Sequence, residues 1–133
     1  MYRHGDVTSE DDWAAAVADV DERWGRLDVL VNNAAILHLA PIEQLTAEDF
    51  TRTYQVNVIG AFLGIKACLP ALRKQRGAIV NVGSIDSISA TPTTGAYSSS
   101  KFAMRGLTRV VAIEQGKHGV RCNIMCPGAA TAR

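Results

Sequence analysis

Three short apolar runs constrain this chain most: Leu27-Asp28-Val29-Leu30-Val31, Ala78-Ile79-Val80-Asn81-Val82 and Val120-Arg121-Cys122-Asn123-Ile124-Met125. Each is rich in β-branched residues and nearly continuous, the signature of a strand buried on both faces. The segments between them are long enough to hold a helix. Strands joined by helical crossovers pair in parallel, with right-handed connections. The expected architecture is therefore α/β, a doubly wound parallel sheet of three strands alternating with helices that cover its faces.

The intervening segments carry helical periodicity. Thr8 and Ser9, followed three residues later by Asp11 and Asp12, read as helix caps, and Trp13, Val17, Val20 and Trp24 recur at helical spacing until Gly25. From Thr46 through Lys74 the stripe is Tyr54, Val58, Phe62, Ile65 and Leu69, with a break or kink expected at Pro70. Gly60 and Gly64 lie four apart on that helix and read as a close packing contact. After a polar loop, Ile85 to Ala96, helix resumes from Tyr97 to about Gln115 with Met104, Leu107 and Val111 inward, and Gly116 and Gly119 bracket its end. With no repeat, linker or low-complexity stretch, residues 1–133 read as one domain or part of one.

Composition narrows the partners. A chain of 133 residues with 47% apolar and 20% charged residues has material for one modest core. Its net charge of +1, with basic residues scattered, offers no field to attract nucleic acid or an anionic membrane. The longest apolar run, Val58 to Ile65, is far short of a membrane span, and Met1 to Asp6 lacks the apolar stretch of a signal peptide, so a cytoplasmic location is expected. Three cysteines without a CxxC pair argue against a disulfide framework. His118, Cys122 and Cys126 recur at four-residue intervals, but the two cysteines fall in an apolar stretch where buried thiols are ordinary, and no metal site is expected.

In open parallel sheets ligands sit beyond the carboxyl ends of the strands. Three polar clusters fall there: Asn32-Asn33, Ser84 and Pro127-Gly128. Thirteen positions after Ser84 comes Tyr97-Ser98-Ser99-Ser100-Lys101, whose tyrosine and lysine share one face if the stretch is helical. A free tyrosine titrates near pH 10, and a fixed cation a few ångströms away favours the phenolate, which makes such a pair a proton donor and acceptor near neutrality. Alone, this spacing is met more often by unrelated surface side chains. The rest of the chain decides.

Taken in order, Asp6-Val7, Asn32-Asn33-Ala34-Ala35 after a strand, Asn57 within a long helix, Ser84, Tyr97-x-x-x-Lys101 and Pro127-Gly128 resemble the motifs of the short-chain dehydrogenases/reductases. The central portion is most similar to members that act on hydroxysteroids. The resemblance implies part of a Rossmann-type NAD(P)-binding domain and hydride transfer between NAD or NADP and a small alcohol or ketone. It implies Tyr97 as general acid/base, Ser84 holding the substrate oxygen, Lys101 acting on both Tyr97 and the nicotinamide ribose, and Asn57 anchoring a water beside Lys101. Asp6 and Val7 match the positions that hold adenine. The backbone from Asn33 through Ala34 to Ala35 matches the adenosine ribose contact, and Pro127 and Gly128 match the support of the nicotinamide. A homo-oligomer is implied for the complete family member.

Some positions depart from the family pattern. Ala35 stands for glycine, Gly83 for serine, and Thr131 follows Pro127 by four residues where the family has five. No Thr-Gly-x-x-x-Gly-x-Gly turn occurs in these residues, and the substrate-binding end of the family lies past Arg133. The resemblance covers roughly half of the family's fold, which leaves two readings: an oxidoreductase recorded as a truncated product, or a fragment with no independent activity. The loops Ile36 to Pro41 and Ile85 to Ala96 are apolar enough to suit a bulky alcohol.

Overall fold

The computed structural model describes residues 2–128. Helix α1 (Glu10–Trp24) leads into strand β1 (Val29–Asn32). Helix α2 (Ala47–Tyr54) then passes through a π-helical segment (Gln55–Gly60) into α3 (Ala61–Gln75). Strand β2 (Ala78–Val82), a 3-10 turn (Ile85–Ser87), α4 (Gly95–Gly116) and β3 (Arg121–Met125) complete the order. The strands pair in parallel as β1-β2-β3, with Asn32 opposite Asn81 and Asn81 opposite Ile124. The three-stranded parallel α/β sheet is the one the apolar runs predict. Thr131 lies outside the described residues.

The coverage of the sheet differs from expectation. Leu30, Ile79 and Cys122 point to one face, where Ile65, Cys68, Leu72, Val111 and Val120 join them in one core, with Trp13 and Val17 of α1 packed against it. Helices α1, α3 and α4 thus all serve the same face. Strand side chains alternate between faces, and on the other face Val29 and Val31 are 51% and 55% exposed. The strand around Val29 is therefore buried on one face only, because no helix among the described residues covers the second. It also begins two residues later than the apolar run, since Leu27 packs against the core from the preceding turn.

Helix α1 starts and stops where its caps predict. Ser9 Oγ accepts the Asp12 N–H at 3.1 Å, and Gly25, at φ 64°, donates its N–H to Asp21 O at 2.8 Å. A left-handed C-cap is the conformation glycine adopts without a Cβ penalty. Trp24 departs from the expected stripe. It lies in the last turn, beyond the core cluster, and stays exposed.

The long helical span Ala47–Gln75 buries a different stripe from the one its hydropathy suggests. Thr53, Asn57, Gly60, Ala61, Gly64, Ile65, Cys68 and Leu72 are buried, while Phe62 is exposed and Tyr54 stacks on Phe50 with ring centroids 5.0 Å apart. The cause is close approach. A Cβ on Gly60 would stand 2.9 Å from Val7 Cγ2, and one on Gly64 would stand 2.7 Å from Trp13 Cζ2. Contact through glycine leaves no mark in a hydropathy pattern. Nor does the helix break at Pro70, which α3 runs through to Gln75. Pro70 and Lys66, whose carbonyl loses its partner there, are both exposed, so water can take the place of the missing N–H. By length and composition this span is apolar enough to cross a membrane, more so than the run Val58 to Ile65 suggests. Here Leu63, Ile65 and Leu72 are buried within the fold.

Two measurements test this packing. Gly64→Ala should destabilise the fold by about 1–3 kcal/mol, the usual cost of overpacking, whereas Gly106→Ala, at an α4 position with no atom within 4 Å, should add up to about 1 kcal/mol; chemical denaturation reads both. Burial pushes the Cys68 and Cys122 thiols up to about 11 from their ordinary 9.0. Their contribution to stability is present below pH 9.0 and lost as pH rises through about 11. At pH 8 a disulfide reagent should therefore titrate the half-buried Cys126 first, and the other two only after unfolding.

Candidate active site

Helix α4 begins two residues before Tyr97, so Tyr97 and Lys101 stand one turn apart, with Lys101 Nζ 5.5 Å from the centroid of the Tyr97 ring. Lys101 is only 3% exposed. Its Nζ donates to Val82 O at 2.8 Å, and Val82 is the last residue of β2, two before Ser84. The helix that carries the tyrosine is thereby tied to the carboxyl end of the central strand. Desolvation holds the Lys101 ammonium below its ordinary pKa, with Cys126 acting in the opposite direction. An ammonium has three donors, so two N–H groups remain to meet something other than Val82.

Ser84 leaves β2 in extended conformation and caps the 3-10 turn. Its Oγ accepts the Asp86 N–H at 3.1 Å, while its own N–H donates to Ser87 Oγ at 3.1 Å. Because the hydroxyl accepts within the turn, its hydrogen stays available to an outside acceptor. The loop after β3 is laced to the same place. Gly83 N–H donates to Met125 O at 2.7 Å, and Ile85 N–H to Pro127 O at 2.8 Å, which sets Pro127 and the exposed Gly128 beside the Ser84 turn. The departure at Gly83 has a local reason: a Cβ there would meet Ser87 Oγ at 2.7 Å and Ile124 Cδ1 at 2.9 Å.

Asn57 makes three hydrogen bonds. Its Oδ1 accepts the Ile36 N–H at 2.8 Å, and its Nδ2 donates to Ile36 O and Ser100 Oγ, each at 3.0 Å. These bonds join the loop after β1 to the residue preceding Lys101. A buried amide on a helix face costs free energy unless it finds such partners.

A second group forms near the end of β1. Val7, Asn33 and Ala34 line a cavity of about 50 Å³ together with Gly60 and Asn32. Ala35 is exposed and stands outside that lining. Asp6 is exposed, and its Oδ1 accepts both the N–H and the hydroxyl of Thr8 at 2.8 Å, which holds the carboxyl below the usual range. Asn33, Ser84 and Pro127 each follow the carboxyl end of a strand, and because the strands are parallel, all three stand along one edge of the sheet.

Asn81 belongs to no motif in the sequence. This fully buried residue, inside an apolar run, accepts from Asn32 Nδ2 at 2.8 Å and donates to Thr108 Oγ1 at 2.9 Å, cross-linking two strands and α4 behind the site. A polar residue at an inward strand position was the available signal. Cys122 accepts from the same amide, with Asn81 Nδ2 3.7 Å from its Sγ. Among the described residues no three His, Cys, Asp or Glu side chains gather as metal ligands.

The chain is similar to known proteins in sequence and in fold. The chain is 41% identical over 128 residues to the 3-alpha-(or 20-beta)-hydroxysteroid dehydrogenase of Mycobacterium tuberculosis, covering 96% of this chain and 49% of that protein. It is 37% identical over 129 residues to the trans-4-hydroxycyclohexanecarboxylate dehydrogenase of Sinomonas cyclohexanicum, covering 97% and 50%. The chain thus spans about half the length of the curated relatives it matches. Among solved structures, ElxO with NADP bound superposes with a TM-score of 0.92 at 34% identity, covering 96% of this chain and 52% of that one. NAD+-bound xylitol dehydrogenase does so with a TM-score of 0.89 at 35% identity, covering 92% and 48%. With residues 1–133 matching the short chain dehydrogenase family throughout, the chain belongs to that family.

Proposed function

We propose that residues 1–133 are part of a Rossmann-type NAD(P)-binding domain in an oxidoreductase that moves a hydride between NAD or NADP and a secondary alcohol or ketone. The observation that carries this reading is the buried Lys101, bonded to Val82 O at 2.8 Å and 5.5 Å from the Tyr97 ring, beside a serine with a free hydroxyl hydrogen. The residues fit the cofactor at this end. The two remaining donors of Lys101 suit a ribose diol, the exposed carboxylate of Asp6 suits an adenine amino group, and Val7, Asn33 and Ala34 already share one cavity. Ala35 stands next to that cavity in the chain, and Pro127 and Gly128 lie on the nicotinamide side, next to Ser84. The NADP-bound and NAD+-bound neighbours support the cofactor class without choosing between its members.

A bound nicotinamide supplies or accepts the hydride. Tyr97 donates its phenolic proton to the carbonyl oxygen in reduction and accepts the hydroxyl proton in oxidation. Ser84 donates its free hydrogen to the same oxygen, which fixes its orientation and stabilises the charge that develops there. Lys101 favours the phenolate and holds the ribose. Asn57 anchors a water beside Lys101 and, through its bond to Ser100, keeps the turn of α4 that ends in Lys101 against the loop after β1.

Leu37, Leu39, Ile85 and Ile88 are exposed on the two loops flanking this edge, and they suit a bulky apolar alcohol of the hydroxysteroid type named in one relative. Phe62, Phe102, Val110 and Ile113 are exposed on α3 and α4 and support self-association of the complete protein. A second reading, in which the 133-residue chain is catalytically silent by itself, draws on Val29 and Val31, uncovered on a strand that is paired along one side only.

The test is a protein completed with the terminal segments of a relative. There Tyr97→Phe should lower turnover by about 10²–10⁴-fold, the effect of a lost general acid, and a variant that keeps its rate would remove Tyr97 from the role. In the same protein Lys101→Met should weaken cofactor binding and move the alkaline rise of the oxidation rate to higher pH, because the cation that favours the phenolate is gone. Unchanged cofactor affinity would refute the ribose contact.

A further inference from the structure

We propose that Asp86, acting through Thr91, is a positioning residue that fixes the Ser84 hydroxyl relative to Tyr97; the inference rests on the dehydrogenase reading above. Twelve residues separate Ser84 from Tyr97, with the 3-10 turn at their start and the first two residues of α4 at their end, and no regular element spans the stretch to set the relation of the two side chains. A continuous chain of hydrogen bonds does. The Asp86 N–H holds Ser84 Oγ at 3.1 Å, and the Asp86 carboxylate, only 6% exposed, accepts the Thr91 hydroxyl at 2.9 Å. The Thr91 carbonyl accepts the Thr94 hydroxyl at 2.6 Å, and Thr94 Oγ1 stands 2.5 Å from Ser98 Oγ, on the residue adjacent to Tyr97. With the Thr94 hydrogen committed to Thr91, Ser98 is the donor in that last contact.

The start of α4 gives a second, independent sign. A threonine at a helix N-cap ordinarily turns its oxygen onto the N–H groups of the first turn. Thr94 occupies the N-cap of α4 and makes no such bond. Its hydroxyl serves the link to Thr91 and Ser98 instead, while its carbonyl accepts the Ser98 N–H at 2.7 Å. Thr93 beside it has a φ of 69°, a conformation that a β-branched residue adopts only when its surroundings hold it there, and its carbonyl accepts the Ala40 N–H at 2.9 Å. The segment between Ser84 and Tyr97 is therefore fastened at both ends, with the buried carboxylate as its central post.

The experiment is a double-mutant cycle on Asp86 and Thr91 in the completed enzyme, read by steady-state kinetics and by amide hydrogen exchange. Thr91 is exposed, so Thr91→Val leaves the core untouched. Thr91→Val and Asp86→Ala should each lower kcat by up to about a hundredfold, the scale of an ångström's misplacement at a reacting centre, with the KM for cofactor unchanged. The double variant should fall no further than the worse single one. Thr91→Ser, which restores the hydroxyl, should restore the rate. Exchange at Ser98 should quicken in both single variants while β2 stays protected. Losses that multiply independently, or a Thr91→Ser variant as slow as Thr91→Val, would overturn the clamp. A wild-type enzyme without NAD(P)-dependent turnover would refute the dehydrogenase reading, and the clamp would then stand on quickened Ser98 exchange or fall on unchanged exchange.

Discussion

The hydrogen bond from Lys101 Nζ to Val82 O is the interaction on which the site depends. It crosses from the first turns of α4 to the end of the central strand and closes the gap between the stretch that carries Tyr97 and the turn that carries Ser84. The molecule keeps a cation almost out of water to achieve this. Burying an ammonium disfavours its charged form, and the lowered Lys101 pKa records that cost. In the pH interval below 10.5 the unfolded chain binds this proton more tightly than the fold does, so the Lys101 contribution to stability rises with pH through that interval. A lysine held on such terms serves chemistry better than it serves stability.

Around that bond the fold brings elements close by using small or polar residues where large apolar ones are usual. Gly60 and Gly64 admit Val7 and Trp13, Gly83 admits Ser87 and Ile124, and Asn32, Asn57 and Asn81 replace apolar contacts with directional ones. Each asparagine joins two elements whose relative placement matters to the sheet edge. Packing density fixes how far apart the elements stand, and the amides fix their register. The open face at Val29 and Val31 takes no part in this arrangement.

Much of this was legible in the residues. The strands and the parallel order followed from apolar runs and helical crossovers, and the pairing of Tyr97 with Lys101 followed from a spacing of four. What hydropathy hid has one physical cause, that contacts made by backbone, glycine or hydroxyl groups carry none, although the four-residue spacing of Gly60 and Gly64 did mark the close packing found there. The stripe through Tyr54, Val58 and Phe62 misplaced the buried face of α3, because Gly60, Ala61 and Gly64 form the actual contact. The long apolar run at Leu27 to Val31 suggested two buried faces, although the described residues supply helices for one. Pro70 suggested a break and marks only an exposed turn. Asp86 and Thr91 looked like loop residues, since nothing in a one-dimensional pattern reveals that a carboxylate four residues past the end of β2 is itself buried.

The most direct measurement is an NMR titration of the lysine side-chain nitrogens, with Lys101 assigned by its loss in Lys101→Met. If the ammonium is buried against Val82 O as described, its resonance titrates below the ordinary lysine value of 10.5 and its protons exchange more slowly than those of the exposed Lys66 and Lys74. A Lys101 that titrates at 10.5 with freely exchanging protons would mean that this side chain is in water, and the site built around it would not exist.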